Sequence, residues 1–261
     1  MRMALAIAAA VIILGIAALF AGQRALIYPA PQPARTPPAE LGELLRLPST
    51  VALWSPPGPG ARVIVHFHGN GEQLADLGRV IPGLRAAGFG VLAVEYPGYG
   101  LAAGTPSEAS LLSAAGEAVA HLRDQRGIPA ERTVLQGQSL GSGVASQLAA
   151  QGHGAALVLI SPFTSMTDLA ARLFPALPVG RLVRDRFDTR GIARSVRVPV
   201  LIVHGDRDEV VPFSMGEELA RTFPDARLEH VEGAHHNDLW LSHGREVAAA
   251  IRAFVRERSA H

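Results

Sequence analysis

The stretch Arg132-Thr133-Val134-Leu135-Gln136-Gly137-Gln138-Ser139-Leu140-Gly141-Ser142-Gly143-Val144-Ala145-Ser146-Gln147-Leu148-Ala149-Ala150 decides how the chain is read. Thr133, Val134 and Leu135 read as a short buried strand. Val144 to Ala150 is rich in small and apolar residues and predicts a helix. Between them, Gly137-Gln138-Ser139-Leu140-Gly141 fits G-x-S-x-G. A sharp turn from strand to helix would hold Ser139 in a strained conformation with its hydroxyl exposed. Glycines two before and two after the serine leave room for that turn. The start of the following helix favours negative charge developing beside the serine. A bystander serine in a glycine-rich turn is the plain alternative, but the flanking strand and helix supply the context a nucleophile needs.

Outward from this stretch, composition narrows the options. The chain has 261 residues and a formal net charge of +1, so no nucleic-acid partner is implied. Its 24 basic residues are all arginine. It has no cysteine, which excludes disulfides, thiolate metal sites and cysteine nucleophiles. The length suits one sizeable α/β domain after an amino-terminal extension.

Residues 3–22 carry no charge. As a helix they would span about 30 Å, the thickness of a bilayer core. Residues 1–24 are therefore expected to be a single membrane anchor. The rival is a signal peptide with Arg2 in its basic region. The apolar run exceeds the usual signal core, and Phe20-Ala21-Gly22-Gln23 is a poor cleavage site, which favours the anchor. The catalytic domain is expected on the exported side. Residues 25–44 hold Pro29, Pro31, Pro33, Pro37 and Pro38 and predict an extended stalk. The domain itself is expected over 45–261.

Within it, apolar strands are predicted at 51–54, 62–67, 90–96, 133–135, 156–160, 198–204 and 226–231. Helices are predicted at 72–87, from a Thr105-Pro106-Ser107-Glu108 capping box to about 125, at 144–150, 165–173, 213–223 and 239–258. This alternation predicts a mostly parallel central sheet with helices on both faces. The interval 162–195 is too short for a large lid and implies a minimal cap.

Ligands of such sheets sit beyond the carboxyl ends of the strands. His68-Gly69-Asn70-Gly71, Ser139, Asp206/Asp208 and His235/His236 all fall at such ends. A serine hydroxyl is a weak nucleophile and needs a histidine to take its proton and a carboxylate to orient that histidine. The order Ser139, Asp208, His236 is the one expected when G-x-S-x-G sits in an α/β sheet. A developing oxyanion needs two fixed N–H donors. The backbone N–H groups of Leu140 and Asn70 are the candidates. A metal cluster of His66, His68, His235 and His236 is set aside, because the serine elbow already accounts for the last two, and His66 is read as a core histidine. No metal and no cofactor is expected.

Four motifs in this order carry a resemblance: His68-Gly69-Asn70, Gly137 to Gly141, His204-Gly205-Asp206-Arg207-Asp208-Glu209-Val210-Val211, and Gly233-Ala234-His235-His236-Asn237-Asp238. The sequence resembles the α/β-hydrolase superfamily, and within it the membrane-anchored serine hydrolases of esterase and thioesterase type. The resemblance covers about residues 45–258. It implies the α/β-hydrolase fold and a serine hydrolase cleaving carboxylic esters or thioesters through an acyl-enzyme. Family spacing selects Asp208 over Asp206 as the acid and His236 over His235 as the base. Amide hydrolysis by the same residues, and a non-catalytic membrane-anchored interaction domain, are the alternatives. The substrate is expected to be a small molecule or an acylated one, lined by Gly69, Tyr99, Phe163, Leu169, Leu173 and Phe174.

Overall fold

Short runs of Val, Leu, Ile and Ala bounded by Gly and Pro pack best as strands buried on both faces. In the computed structural model six such strands, flanked by the partly exposed β1 and β8, form one sheet: β1 Glu43–Arg46, β2 Val51–Ser55, β3 Val63–Phe67, β4 Gly90–Val94, β5 Thr133–Gln138, β6 Ala156–Ile160, β7 Val200–Gly205 and β8 Ala226–Val231. The structure describes residues 2–175, 180 and 182–258. In the first helix the side chains of 2, 4–6, 8–14, 16 and 19 fall outside that description. The strand order is β1-β2-β4-β3-β5-β6-β7-β8. β1 and β2, at one edge, run antiparallel to their neighbours, and every other pair is parallel.

The helices are α1 Arg2–Ile27, α2 Val80–Ala86, α3 Glu108–Arg126, α4 Leu140–Ala150, α5 Met166–Leu173, α6 Thr189–Ile192, α7 Phe213–Thr222 and α8 Gly244–Glu257. Alternate strand residues feed two cores. Val65, Phe67, Leu135 and Leu157 pack with Leu111 and Leu122 of α3 and with Val144 and Leu148 of α4. Ile64, Val134, Val158 and Leu201 pack on the other face with Ile81 and Leu84 of α2 and Ile251 and Phe254 of α8. Full burial of each such side chain contributes roughly 1.5–3 kcal/mol. The expected mostly parallel sheet with helices on both faces is what forms. Between β6 and β7 the described residues hold only the short α5 and α6 and a 3-10 turn at Ala193–Ser195, a minimal cap.

Several predicted boundaries move, each for a local reason. The helix expected over 72–87 is α2 plus a separate 3-10 turn at Leu74–Asp76. Gln73 and Asp76 cap that turn reciprocally, and the chain re-enters helix only after Gly78. The capping box of α3 is Ser107 with Ser110, not Thr105 with Glu108. The Glu108 carboxylate is instead committed to the N–H groups of Arg186 and Phe187. The last helix begins at Gly244, because Leu239 and Trp240 turn into the core ahead of it. β1 was not anticipated, and it begins inside the segment expected to be stalk. The rest of that segment lies along the domain: Tyr28 is buried, and Arg35 N–H donates to Gln73 Oε1 at 2.8 Å.

α1 spans the length expected of the anchor. Among the described residues no helix is long and apolar enough to cross a membrane. Most of the α1 side chains that the anchor reading depends on lie outside those residues. The carboxyl end of α1 is joined to the domain. Gln23 donates to the Leu182 carbonyl and accepts from the Arg184 N–H. Arg24 pairs with Asp185 at 3.0 Å, and the Arg184 guanidinium lies 3.9 Å over the Phe20 ring.

Candidate active site

β5 runs straight into α4 with a single residue between them, Ser139. Its φ of 48° and ψ of −114° are strained for a non-glycine residue. The turn is held by the Ser139 N–H donating to the Ile160 carbonyl at 2.9 Å, which ties it to β6. It closes only because its flanks are glycine. A Cβ on Gly137 would strike the Gly141 carbonyl, and one on Gly141 would strike the Phe67 carbonyl. Ser142, the second serine of the motif, is buried and caps the turn by donating to the Ser139 carbonyl at 2.6 Å.

Two loops bring partners to the exposed side of this elbow. His236, from the loop after β8, has Nε2 3.0 Å from Ser139 Oγ. Its Nδ1 lies 2.8 Å from Asp208 Oδ2, in the loop after β7. A carboxylate can only accept, so Nδ1 carries the ring hydrogen and Nε2 presents its lone pair to the serine hydroxyl. Asp208 is close to fully buried and receives further donors. Val210 N–H and Val211 N–H reach Oδ1 at 3.0 and 2.7 Å. The buried His204 sets Nε2 3.3 Å from Oδ2 and 2.9 Å from the Val211 carbonyl. Burial pushes the Asp208 carboxyl up, but the hydrogen bonds from His204, His236 and Val211 hold it well below the usual carboxylate range.

The structure separates the paired candidates. Asp206 accepts from the Gly233 N–H at 2.7 Å and faces His230, so it ties the β7 loop to the β8 loop. His235 is exposed and paired with Glu209. Neither approaches Ser139 within hydrogen-bond distance.

The N–H of Leu140 opens α4, and that of Asn70 lies in the loop after β3. Neither finds an acceptor among the described residues. The Asn70 side chain bridges two elements: Nδ2 donates to the Ile27 carbonyl at 2.5 Å, and Oδ1 accepts from the Tyr99 hydroxyl at 2.6 Å. Gly69 N–H donates to Glu72 Oε2 at 2.7 Å. An arrangement of a serine, an oriented imidazole, a buried carboxylate and two free N–H groups can attack a carbonyl and hold the resulting oxyanion.

The six residues expected to line a pocket differ in exposure. Phe163, Leu169 and Tyr99 are core residues, and Gly69 is tied into its loop. Leu173 and Phe174 are exposed by half or more. Phe174 lines an apolar cleft of about 90 Å³ with Ala170, Leu182 and Val183 on one side and Phe20, Leu26 and Ile27 of α1 on the other. Sequence reasoning did not anticipate α1 in this position. It also gave no role to His204, whose H-x-x-x-D spacing to Asp208 was the available signal.

This fold is that of an α/β hydrolase. Residues 58–193 match the sequence model of the family described as serine aminopeptidase, S33, and residues 180–260 match one described as TAP-like protein. An uncharacterised protein of Mycobacterium tuberculosis is 35% identical over 92% of this chain and 89% of its own. Alpha/beta hydrolase domain-containing protein 17C of Xenopus tropicalis is 36% identical over 70% of this chain and 59% of its own. Among solved structures, an esterase of Pyrococcus furiosus superposes with a TM-score of 0.72 at 19% identity, over 87% of this chain and 98% of that one. The Est1E protein of Butyrivibrio proteoclasticus, with ferulic acid bound, gives 0.70 at 18% identity, over 84% and 100%. The chain belongs to the α/β-hydrolase superfamily.

Proposed function

We propose that the protein is a serine hydrolase of carboxylic esters or thioesters. The observation that carries this is the unbroken line from Ser139 Oγ to His236 Nε2 at 3.0 Å and from His236 Nδ1 to Asp208 at 2.8 Å, set on a strained elbow. Ser139 attacks the acyl carbon while its proton passes to His236. The imidazolium that forms is stabilised by Asp208, and the oxyanion is held by the N–H groups of Leu140 and Asn70. His236 then protonates the leaving alcohol or thiol. In the second half it takes a proton from water, which attacks the acyl-enzyme and frees Ser139. No step calls on a cofactor.

A fluorophosphonate probe is expected to label wild type and not Ser139→Ala. Turnover of p-nitrophenyl esters and acyl thioesters should fall on the order of 10⁴-fold in that variant. Undiminished turnover in Ser139→Ala would end the reading. The serine aminopeptidase description of the matching family supports a second reading, amide hydrolysis by the same residues. Aminoacyl p-nitroanilides cleaved faster than esters by wild type, and not by Ser139→Ala, would favour it.

The charge-free run 3–22 supports a further part of the proposal, that α1 seats the enzyme in a bilayer. The full chain should stay with membranes through high salt and carbonate. A soluble mature chain beginning near Gln23 would mean a signal peptide instead.

A further inference from the structure

The register of β3 against β4 pairs Phe67 with Val94, so the next residues on each strand, His68 and Glu95, meet side by side. Both are buried, and His68 immediately precedes the Gly69-Asn70 loop. His68 Nε2 lies 2.8 Å from Glu95 Oε1, and His68 Nδ1 lies 2.8 Å from the Gly69 carbonyl. A carbonyl oxygen can only accept, so Nδ1 carries a hydrogen. The Nε2 contact then also needs a proton between ring and carboxylate. The second Glu95 oxygen accepts from the Leu74 N–H at 3.0 Å. A buried ion pair contributes little to stability over a well-packed apolar pair. Its place beside an N–H proposed to hold the oxyanion calls for another reason.

We propose that His68 and Glu95 are positioning residues whose single shared proton locks the His68–Asn70 loop with the Asn70 N–H directed at the substrate carbonyl oxygen, and that Tyr99 closes the lock through the Asn70 side chain. This rests on the hydrolase reading. Other bonds converge on the same loop. The Tyr96 hydroxyl donates to the His68 carbonyl at 2.7 Å, the Tyr99 hydroxyl to Asn70 Oδ1, and the Gly69 N–H to Glu72. The groups facing His68 are thus Glu95 and Tyr96 from the end of β4, Tyr99 beyond it, Glu72 from the loop, and His66 two residues back on β3. Burial and the neighbouring His68 hold His66 down at about 3, so it is neutral. Burial pulls the His68 imidazole down, but the Glu95 hydrogen bond and charge, Glu72 and the Gly69 carbonyl outweigh this and raise it above its ordinary value. Its proton is therefore fully in place below about pH 6.5 and is lost as pH rises through the raised value. Without it, a nitrogen lone pair faces a carboxylate oxygen between two buried side chains, and the loop must give.

Glu95→Gln separates positioning from packing. The amide oxygen can take the Leu74 N–H while the amide NH₂ donates to Nε2 of a neutral His68, so both bonds survive and nothing titrates. The experiment measures kcat and KM for a p-nitrophenyl ester from pH 5 to 10 in wild type, Glu95→Gln and Tyr99→Phe. It also records ring ¹⁵N shifts of His68, assigned with His68→Asn. In wild type kcat should fall on the alkaline side with KM unchanged, and both His68 nitrogens should carry hydrogen at pH 7. Glu95→Gln should lose that alkaline fall. Tyr99→Phe should lower kcat on the order of tenfold with little change in KM, a fraction of what losing a whole oxyanion donor costs. An alkaline fall that persists in Glu95→Gln, or a singly protonated His68 in wild type at pH 7, would overturn the proposal. Failure of the hydrolase reading shows differently, as a wild type that no fluorophosphonate labels at any pH.

Discussion

Asp208 and Asp206 stand two residues apart in one loop and do different things. Asp208 gathers donors from His236, His204, Val210 and Val211, whereas Asp206 is half solvated and spans two loops. Asp208→Asn should lower kcat by roughly 10³–10⁴ through the wrong imidazole tautomer. Asp206→Asn should cost under about tenfold by the same measure, with folding checked by circular dichroism. The depressed Asp208 pKa also has a stability consequence. A carboxyl that binds its proton less tightly when folded adds stability above its unfolded value of about 4, and loses it as pH falls toward the folded value. Urea melts of wild type and Asp208→Asn should therefore converge as pH drops from 6 to 3, and a constant gap would contradict this. Ser139, Asp208 and His236 could be picked out in the sequence because each sits in a short motif beside a predicted strand end. Glu95, Tyr99 and His204 could not be given their roles. Their partners are set by strand register and loop packing, as His68 meets Glu95 across 27 positions.

At the level of elements, the strand–elbow–helix unit was readable because its constraint is local, glycine where a carbonyl passes. Caps were harder. Two overlapping boxes compete before α3, and Glu108 is drawn off by the backbone of the cap segment, which no local rule contains. The Ser107 cap can be tested directly. Ser107→Ala should cost roughly 0.5–2 kcal/mol in urea unfolding. Thr105→Ala should cost less, because only the Thr105 backbone carbonyl takes part, accepting from Ser110 Oγ. The reverse ranking would restore the box expected from sequence. β1 escaped notice because it is a four-residue edge strand of Glu-Leu-Leu-Arg whose burial does not alternate. What makes it a strand is β2 beside it, with Leu45 opposite Ala52.

Over the whole molecule, the alternation of apolar strands and helices determines the sheet, and that much is written in the sequence. How the amino-terminal segment meets the domain is not, because it rests on contacts between residues some 160 positions apart, Gln23 with Arg184 and Arg24 with Asp185. Truncations can expose this. Removing residues 1–24 keeps the Ile27 carbonyl and the buried Tyr28, and should leave a folded, active enzyme. Removing residues 1–28 takes both away, and loss of a core aromatic of this kind costs about 3–5 kcal/mol, which should appear as a lower Tm. Equal melting temperatures would show that the contacts of Ile27 and Tyr28 carry no weight. The joint at the end of α1 has one more consequence. A domain on a slack tether sweeps a hemisphere above its bilayer and meets bonds at any height. A domain joined to its helix through Gln23, Arg24 and Arg184 has less room to swing. Seated in a membrane, it would hold Ser139 at one fixed elevation over the lipid, and the molecule would act as a ruler, choosing among substrates by where the scissile bond stands as much as by what it is.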